Sequence, residues 1–90
     1  MSRFIVERHL PGIDADALKA AGVRARTCCA EMETEGTAVR WIRSFFVPET
    51  EHTYCVFDAP NADVVEEANR RAQIPFLTIR EALEMTPDAV

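Results

Sequence analysis

Residues Ala38–Val47 read Ala-Val-Arg-Trp-Ile-Arg-Ser-Phe-Phe-Val, and residues Thr53–Ala59 read Thr-Tyr-Cys-Val-Phe-Asp-Ala. Both stretches are rich in β-branched and aromatic residues, and a short polar segment, 48–52, separates them. This pattern predicts two strands joined as a hairpin. Because both alternate sets of positions are apolar, the hairpin should have two apolar faces. We expect one face to carry Trp41, Phe45, Cys55 and Phe57, and the other to carry Ile42, Phe46, Tyr54 and Val56.

A strand and a helix are predicted before the hairpin. Residues Arg3–His9 read Arg-Phe-Ile-Val-Glu-Arg-His, a β-rich segment that stops at the turn signal Pro11-Gly12. Asp14 is then a candidate N-cap for an amphipathic helix over roughly 15–32. Its buried stripe should consist of residues spaced by three and four, namely Leu18, Ala21, Ala25, Cys28 and Met32.

A second helix and a last strand are predicted after the hairpin. Asn61 is the expected N-cap of a helix that Pro75 closes. Residues Leu77–Met85 fit both helical spacing and strand alternation, and we predict a strand because it completes a four-stranded sheet. The order βαββαβ is that of the ferredoxin-like α+β fold, with an antiparallel sheet of order 4-1-3-2 and two helices on one face. The 90 residues, 1–90, provide for one such domain.

Composition and charge argue against several classes of function. Ten Lys and Arg against fifteen Asp and Glu give a net charge of −5, without a basic cluster, which argues against nucleic acid or an anionic membrane as the partner. No apolar run approaches the roughly 18–20 residues of a transmembrane helix, and no signal-peptide pattern is found at the N-terminus. A cytoplasmic location is therefore expected. The odd number of cysteines, three, argues against a disulfide framework.

The two-sided hairpin also predicts a homodimer. Two helices cover only one face of a sheet, and a second apolar face is more than a soluble monomer normally exposes. Face-to-face pairing of two copies would cover it.

Short motifs spread over nearly the whole chain carry a family resemblance. They are Arg3-Phe-Ile-Val-Glu-Arg, Pro11-Gly12, Trp41-x-x-Ser44-Phe45, Tyr54-Cys55-Val56, Ala59-Pro60-Asn61, Arg70-Arg71 and Thr86-Pro87. In order and spacing they resemble a family of short bacterial ferredoxin-like proteins, mostly of unknown function, that includes a nickel-binding member. The wider superfamily, the dimeric α+β barrels, packs two four-stranded sheets face to face. The resemblance thus implies a dimeric barrel and, as cofactor, nickel or another divalent transition metal.

One helix departs from the family pattern. The family commonly reads Arg-Glu-His-Ala-Arg-Arg where this chain has Glu66-Glu67-Ala68-Asn69-Arg70-Arg71. Ala68 thus replaces an imidazole, the common side chain most suited to nickel. We expect weaker nickel binding than in relatives that keep the histidine, unless His9 or His52 supplies the ligand.

Three residues are the candidate metal ligands: Glu7, His9 and Cys55. Glu7 lies in the middle of an apolar strand, where a carboxylate is costly unless it is paired. It is either the partner of an arginine such as Arg43 or a ligand or acid/base group in a pocket. His9 shares the strand face of Glu7. Cys55 on the neighbouring central strand is a core thiol, a soft ligand or the nucleophile of a Cys-His pair. His52 is expected to be a solvated loop residue.

For a small ligand, the candidate binding residues are Trp41, Ser44 and Tyr54. The leading hypothesis is a homodimer that binds a metal ion or a small hydrophobic ligand in a pocket around the central strands. One alternative is a small cofactor-independent monooxygenase or isomerase, as in the superfamily. It would be favoured by an elongated apolar pocket with Trp41, Tyr54 and a lone polar group. The other is an interaction module without a ligand, which would have a filled interior.

Overall fold

The computed structural model describes residues 1–90, and the order of its elements is the predicted one. They are strand β1 (Ser2–His9), helix α1 (Ala15–Thr34), strands β2 (Arg40–Val47) and β3 (His52–Ala59), helix α2 (Ala62–Arg71) and strand β4 (Thr78–Ala82), followed by a short 3-10 helix (Pro87–Ala89). The four strands form one antiparallel sheet of order β2-β3-β1-β4. This is the predicted order 4-1-3-2 counted from the opposite edge, so the ferredoxin-like fold is confirmed.

Both helices begin at the predicted N-caps. Oδ1 of Asp14 accepts a hydrogen bond from the backbone N–H of Ala17 (2.7 Å), and Oδ1 of Asn61 accepts one from Val64 (3.1 Å). Each bond satisfies a backbone donor that the first turn of a helix leaves free. Neither helix combines the length and the apolar character that a membrane-spanning segment needs.

The core lies between the two helices and one face of the sheet. Its main cluster is formed by Phe4, Val6, Cys29, Met32, Val39, Cys55, Phe57, Ala59, Val65 and Ala68. A second, smaller cluster under the first half of α1 consists of Ala21, Ala25, Ala72 and Ile74. Of the stripe predicted for α1, Ala21, Ala25 and Met32 are buried and Leu18 is half-buried. Cys29 takes the buried place assigned to Cys28, which is half-buried.

An irregularity in β2 changes the predicted faces of the hairpin. The register between β2 and β3 shifts directly after Trp41. Because strand side chains alternate between faces, one extra residue reverses the face of every residue that follows it. Phe45 therefore lies opposite Tyr54, and Phe46 lies on the helix side. The prediction that grouped Phe45 with Trp41 and Phe46 with Tyr54 was wrong for this reason.

The other face of the sheet, the open face, is not covered within the chain. Its residues from the three strands β1, β2 and β3 include Ile5, Glu7, His9, Arg43, Phe45, His52, Tyr54 and Val56. Phe45 is 59 % exposed. The open face is thus a mixed surface: it carries the apolar hairpin residues that the sequence pattern predicted, and it is polar at one end.

Candidate functional site

Three polar side chains meet at one end of the open face, where β1 ends and β3 begins. Nδ1 of His52 lies 2.9 Å from Oε2 of Glu7. His9 is paired opposite His52 in the sheet, and the two ring centroids are 4.9 Å apart. We call Glu7, His9 and His52 the open-face cluster. The ring of Tyr54 lies beside it, with its centroid 6.3 Å from that of His52.

The contact between Glu7 and His52 is partly shielded from water, since the side chains are 32 % and 27 % exposed, respectively. An ionised carboxylate accepts a hydrogen bond from the Nδ1–H of an imidazole, and this leaves the Nε2 lone pair of neutral His52 free. Carboxylates that bind an imidazole in this way orient it for a metal ion and raise its basicity. His9, which is exposed, contributes a second imidazole.

Imidazole nitrogens are donors that suit nickel, so the chemistry of the cluster fits that metal. One chain alone, however, does not provide enough donors for a complete metal site. Nowhere in residues 1–90 do three or more His, Cys, Asp or Glu side chains come together in a way that could hold a metal ion. One chain therefore offers two neighbouring imidazoles, with Glu7 supporting one of them.

Cys55, the third predicted ligand, lies on the opposite face of the sheet. Glu7 is paired opposite Tyr54, and the next residue along a strand points to the other side. Cys55 is 5 % exposed, and its Sγ accepts a hydrogen bond from Nε of Arg8 at 3.4 Å. The predicted grouping of Cys55 with Glu7 and His9 around one ion therefore does not form.

Two further expectations about the cluster are corrected. The partner of Glu7 is His52, whereas Arg43 lies on β2, which β3 separates from β1. His52 is the first residue of β3 and is half-buried, although the sequence placed it in a solvated loop. The strand begins one residue earlier than predicted, and this brings the imidazole beside His9.

A cavity of about 480 Å³ lies between α1 and the helix side of the sheet. Most of its walls are apolar, and they include Leu18, Ala21, Phe46, Phe57 and Ile74. Two of the three predicted small-ligand residues, Trp41 and Ser44, line it, and the indole Nε1–H donates to Oγ of Ser44 at 2.8 Å. The third, Tyr54, lies on the open face and is separated from them by the sheet.

The same cavity has buried polar groups in its wall. Arg8 is 2 % exposed. Its guanidinium donates to Oδ1 of Asn69 (2.8 Å), to the carbonyl oxygen of Pro75 (3.3 Å) and to Sγ of Cys55, and it takes part in none of the ion pairs of the chain. Thr53, paired opposite Arg8, is also buried, and its hydroxyl has no hydrogen-bond partner.

Sequence reasoning missed Arg8 and Asn69. A signal was present for each, because Arg8 continues the alternation of the core residues Phe4 and Val6, and Asn69 follows the core residue Val65 by one helical turn. The sequence pattern indicated Glu7 as the costly charged residue of β1, but the buried charge is the next residue, Arg8. Glu7 is on the half-exposed face, and the charged residue inside the core is Arg8.

Ala68, which stands at the family's histidine position, is 2 % exposed in the main core cluster. It faces the helix side of the sheet, away from the open-face cluster. The alanine therefore does not remove a donor from that cluster.

The family described as "Nickel responsive protein SCO4226-like" matches residues 4–81. Among solved structures, the crystal structure of SCO4226 from Streptomyces coelicolor A3(2) is similar, with a TM-score of 0.77 and 21 % sequence identity. The similarity covers 94 % of this chain and 100 % of that one. At this level of identity it shows a common fold. No curated protein matches the sequence.

Proposed function

This chain belongs to the family of nickel-responsive SCO4226-like proteins, and from that premise we propose that it is a small homodimeric protein that binds nickel or a similar divalent transition metal. The open-face cluster supplies the donors. The observation that carries the proposal is the contact of 2.9 Å between His52 Nδ1 and Glu7 Oε2, together with the second imidazole, His9, whose ring centroid is 4.9 Å from that of His52.

The chemistry of the chain's own residues supports metal binding. A Glu7 carboxylate that accepts from the Nδ1–H of His52 would leave Nε2 of that ring as a donor to a metal, and His9 adds a second imidazole beside it. The metal, when bound, serves as the protein's cargo or signal. Because a metal ion competes with protons for imidazole nitrogens, the affinity should fall as the pH is lowered.

The proposed dimer covers the open face with the same face of a second copy. Phe45, 59 % exposed, and its apolar neighbours would be buried there. A twofold axis would also bring a second pair of imidazoles into the interface. Four imidazoles, two from each chain, would provide the donors for the square-planar or tetragonal geometry that Ni(II) favours. The two imidazoles of one chain would then be half of a shared site.

Calorimetry with nickel chloride on protein made without a histidine tag tests the proposal. Wild type should bind about one ion per two chains, and His52→Ala should weaken binding at least ~10–100-fold, the range seen when only a supporting residue is lost. Glu31→Gln, an exposed carboxylate on α1, is the control and should bind like wild type. Unchanged affinity in His52→Ala would refute the assignment of this site.

Sedimentation tests the dimer separately. Wild type should have twice the chain mass of 10.1 kDa, and Phe45→Glu should have the mass of one chain, because it places a charge in the proposed interface. A wild-type monomer at micromolar concentration would refute the dimer and the shared site. The cytoplasmic location remains a prediction.

The alternatives have different support. The enzyme hypothesis predicts a pocket lined by both Trp41 and Tyr54, but only Trp41 lines the cavity. The hypothesis of an interaction module without a ligand predicts a filled interior, and the cavity of about 480 Å³ argues against that hypothesis.

A further inference from the structure

We propose that the cavity between α1 and the sheet binds a small carboxylic acid with an apolar body, and that Arg8 and Thr53 hold its carboxylate. This site lies on the helix side of the sheet, so it does not depend on the proposed metal site of the open face.

The first argument is the buried charge of Arg8. A guanidinium stays charged in proteins, and buried charges are normally paired with an opposite charge. All three partners of Arg8 are neutral acceptors: Oδ1 of Asn69, the carbonyl oxygen of Pro75 and the sulfur of Cys55. These bonds occupy three of its five N–H donors. Two N–H donors are left without a partner, Arg8 is among the residues that line the cavity, and the planar fork of arginine matches a carboxylate.

The second argument is the hydroxyl of Thr53. It is buried without a partner, and few polar groups in native proteins are left in that state. Thr53 is paired opposite Arg8 in the sheet, and both residues line the cavity. A hydroxyl can donate to a carboxylate oxygen that a guanidinium also contacts. A bound carboxylate would therefore satisfy both residues at once.

The third argument is the distribution of charge around the cavity. The chain has fifteen Asp and Glu and ten Lys and Arg, yet none of the seventeen lining residues is acidic, whereas Lys19 and Arg26 of α1 join Arg8 in the lining. Although the protein is acidic overall, no carboxylate side chain lines this cavity. The local potential favours an anion over a cation or a neutral molecule.

The apolar walls define the rest of the ligand. Eleven of the seventeen lining residues are hydrophobic, which suits a hydrocarbon or aromatic body and is poorly suited to inorganic phosphate or a nucleotide. The volume of about 480 Å³ is within the range of small-molecule sites. A medium-chain fatty acid or an aryl-alkanoic acid fits this description.

The fluorescence of Trp41 measures occupancy directly, because it is the only tryptophan of the chain and lines the cavity. Decanoate should change the emission with saturation, whereas 1-decanol should require about tenfold higher concentration and decyltrimethylammonium should have no effect. Equal affinity for decanoate and decanol would overturn the role of Arg8. No change with decanoate up to millimolar concentration would overturn the proposal as a whole.

Two variants separate the anion site from the general fold. Thr53→Val keeps the shape of the side chain and should weaken decanoate binding several-fold without affecting decanol, whereas Thr50→Val in the exposed turn should have no effect. Arg8→Lys keeps the charge but loses the fork and should weaken binding about tenfold. Unchanged decanoate affinity in both variants would overturn the assignment. Nickel binding by Thr53→Val should equal that of wild type, so failure of either proposal is distinguishable from failure of the other.

Discussion

Arg8 and Asn69, both 2 % exposed, join the central strand β1 to helix α2 by a hydrogen bond of 2.8 Å between Nη2 and Oδ1. The carboxamide of Asn69 is oriented by a second bond, from its Nδ2 to the carbonyl oxygen of Val65 at 2.8 Å. Asn69 therefore presents its oxygen to the buried cation. Its bond is the shortest of the three that Arg8 donates, and Arg8 forms no ion pair within the chain.

The first prediction follows from this bond. Asn69→Leu removes the acceptor from a buried charge, and since hydrogen bonds to charged groups contribute about 1.5–3 kcal/mol, urea unfolding should show a loss of that order. The control is the same change in an Arg8→Met background. There the loss should be much smaller, because the cation is gone. An equal loss in both backgrounds would mean that Asn69 acts through packing alone.

The second prediction concerns Gly22 in α1. A Cβ atom built at Gly22 would lie 3.1 Å from Cη2 of Trp41, so the indole packs directly on the helix backbone. In wild type, Gly22→Ala should change stability little, since the gain of about 1 kcal/mol in helix propensity is offset by displacement of the ring. In a Trp41→Phe background, which lacks the outer ring, it should raise the free energy of unfolding by close to that amount. The same effect in both backgrounds would contradict the contact.

Gly22 also illustrates what the sequence could and could not predict. Helix and strand periods, the caps Asp14 and Asn61 and the turn signals led to the correct order of elements, because each of these features is local. From the sequence alone, Gly22 indicated only a residue that lowers the stability of the helix. The contact that explains a glycine at this position is with Trp41, nineteen residues later in the chain. Contacts of that kind depend on tertiary packing.

The candidate sites were predictable only in part for the same reason. Glu7 and His9 share a face by simple alternation, and the structure places both on the open face. The face of Cys55 relative to Glu7 depends on the register between two strands, and the register shift after Trp41 reversed the faces of Phe45 and Phe46. A pattern within one strand does not contain this information.

The third prediction concerns Glu7. Glu7→Gln keeps the shape of the side chain but removes the charge that holds the proton of His52 on Nδ1. Nickel affinity measured by calorimetry should fall about 10–100-fold, while the melting temperature should change little, because the Glu7 side chain is about a third exposed. Glu49→Gln in the exposed turn is the matched control. A drop of many degrees in Glu7→Gln with unchanged nickel affinity would make Glu7 a structural residue.

The fourth prediction concerns acid stability. Arg3 binds Asp58 through two bonds, Nε to Oδ1 at 2.9 Å and Nη2 to Oδ2 at 3.0 Å, and this hydrogen bonding holds the pKa of the Asp58 carboxyl below its ordinary value. A lowered pKa in the folded state contributes stability that is present above pH ~4, the usual range of an unfolded aspartate, and is lost as the pH falls through the lowered value. Arg3→Met should therefore flatten the pH dependence of unfolding below pH ~4. An unchanged acid profile would show that the pair contributes nothing there.

Cys29 is the basis of the last prediction, which concerns alkaline stability. The thiol is 6 % exposed, and burial raises its pKa from an ordinary value of 9.0 to about 11, against a smaller opposing effect from a hydrogen bond with the backbone of Trp41. The folded protein therefore keeps the proton that the unfolded chain releases above pH 9.0. Stability should be at its full value below that pH and should decline as the pH rises toward about 11.

The decline should amount to roughly 2–3 kcal/mol by the upper end of that window, since each pKa unit corresponds to about 1.4 kcal/mol. Urea unfolding measured at intervals from pH 8 upward checks it. In Cys29→Ala the curve should be nearly flat over the same window, although at a lower level, because the smaller side chain leaves a gap in the core. Cys28→Ala, at the half-buried neighbour, should keep most of the decline. If Cys29→Ala loses stability with pH as steeply as wild type does, the alkaline transition has another origin and the buried thiol is not its cause.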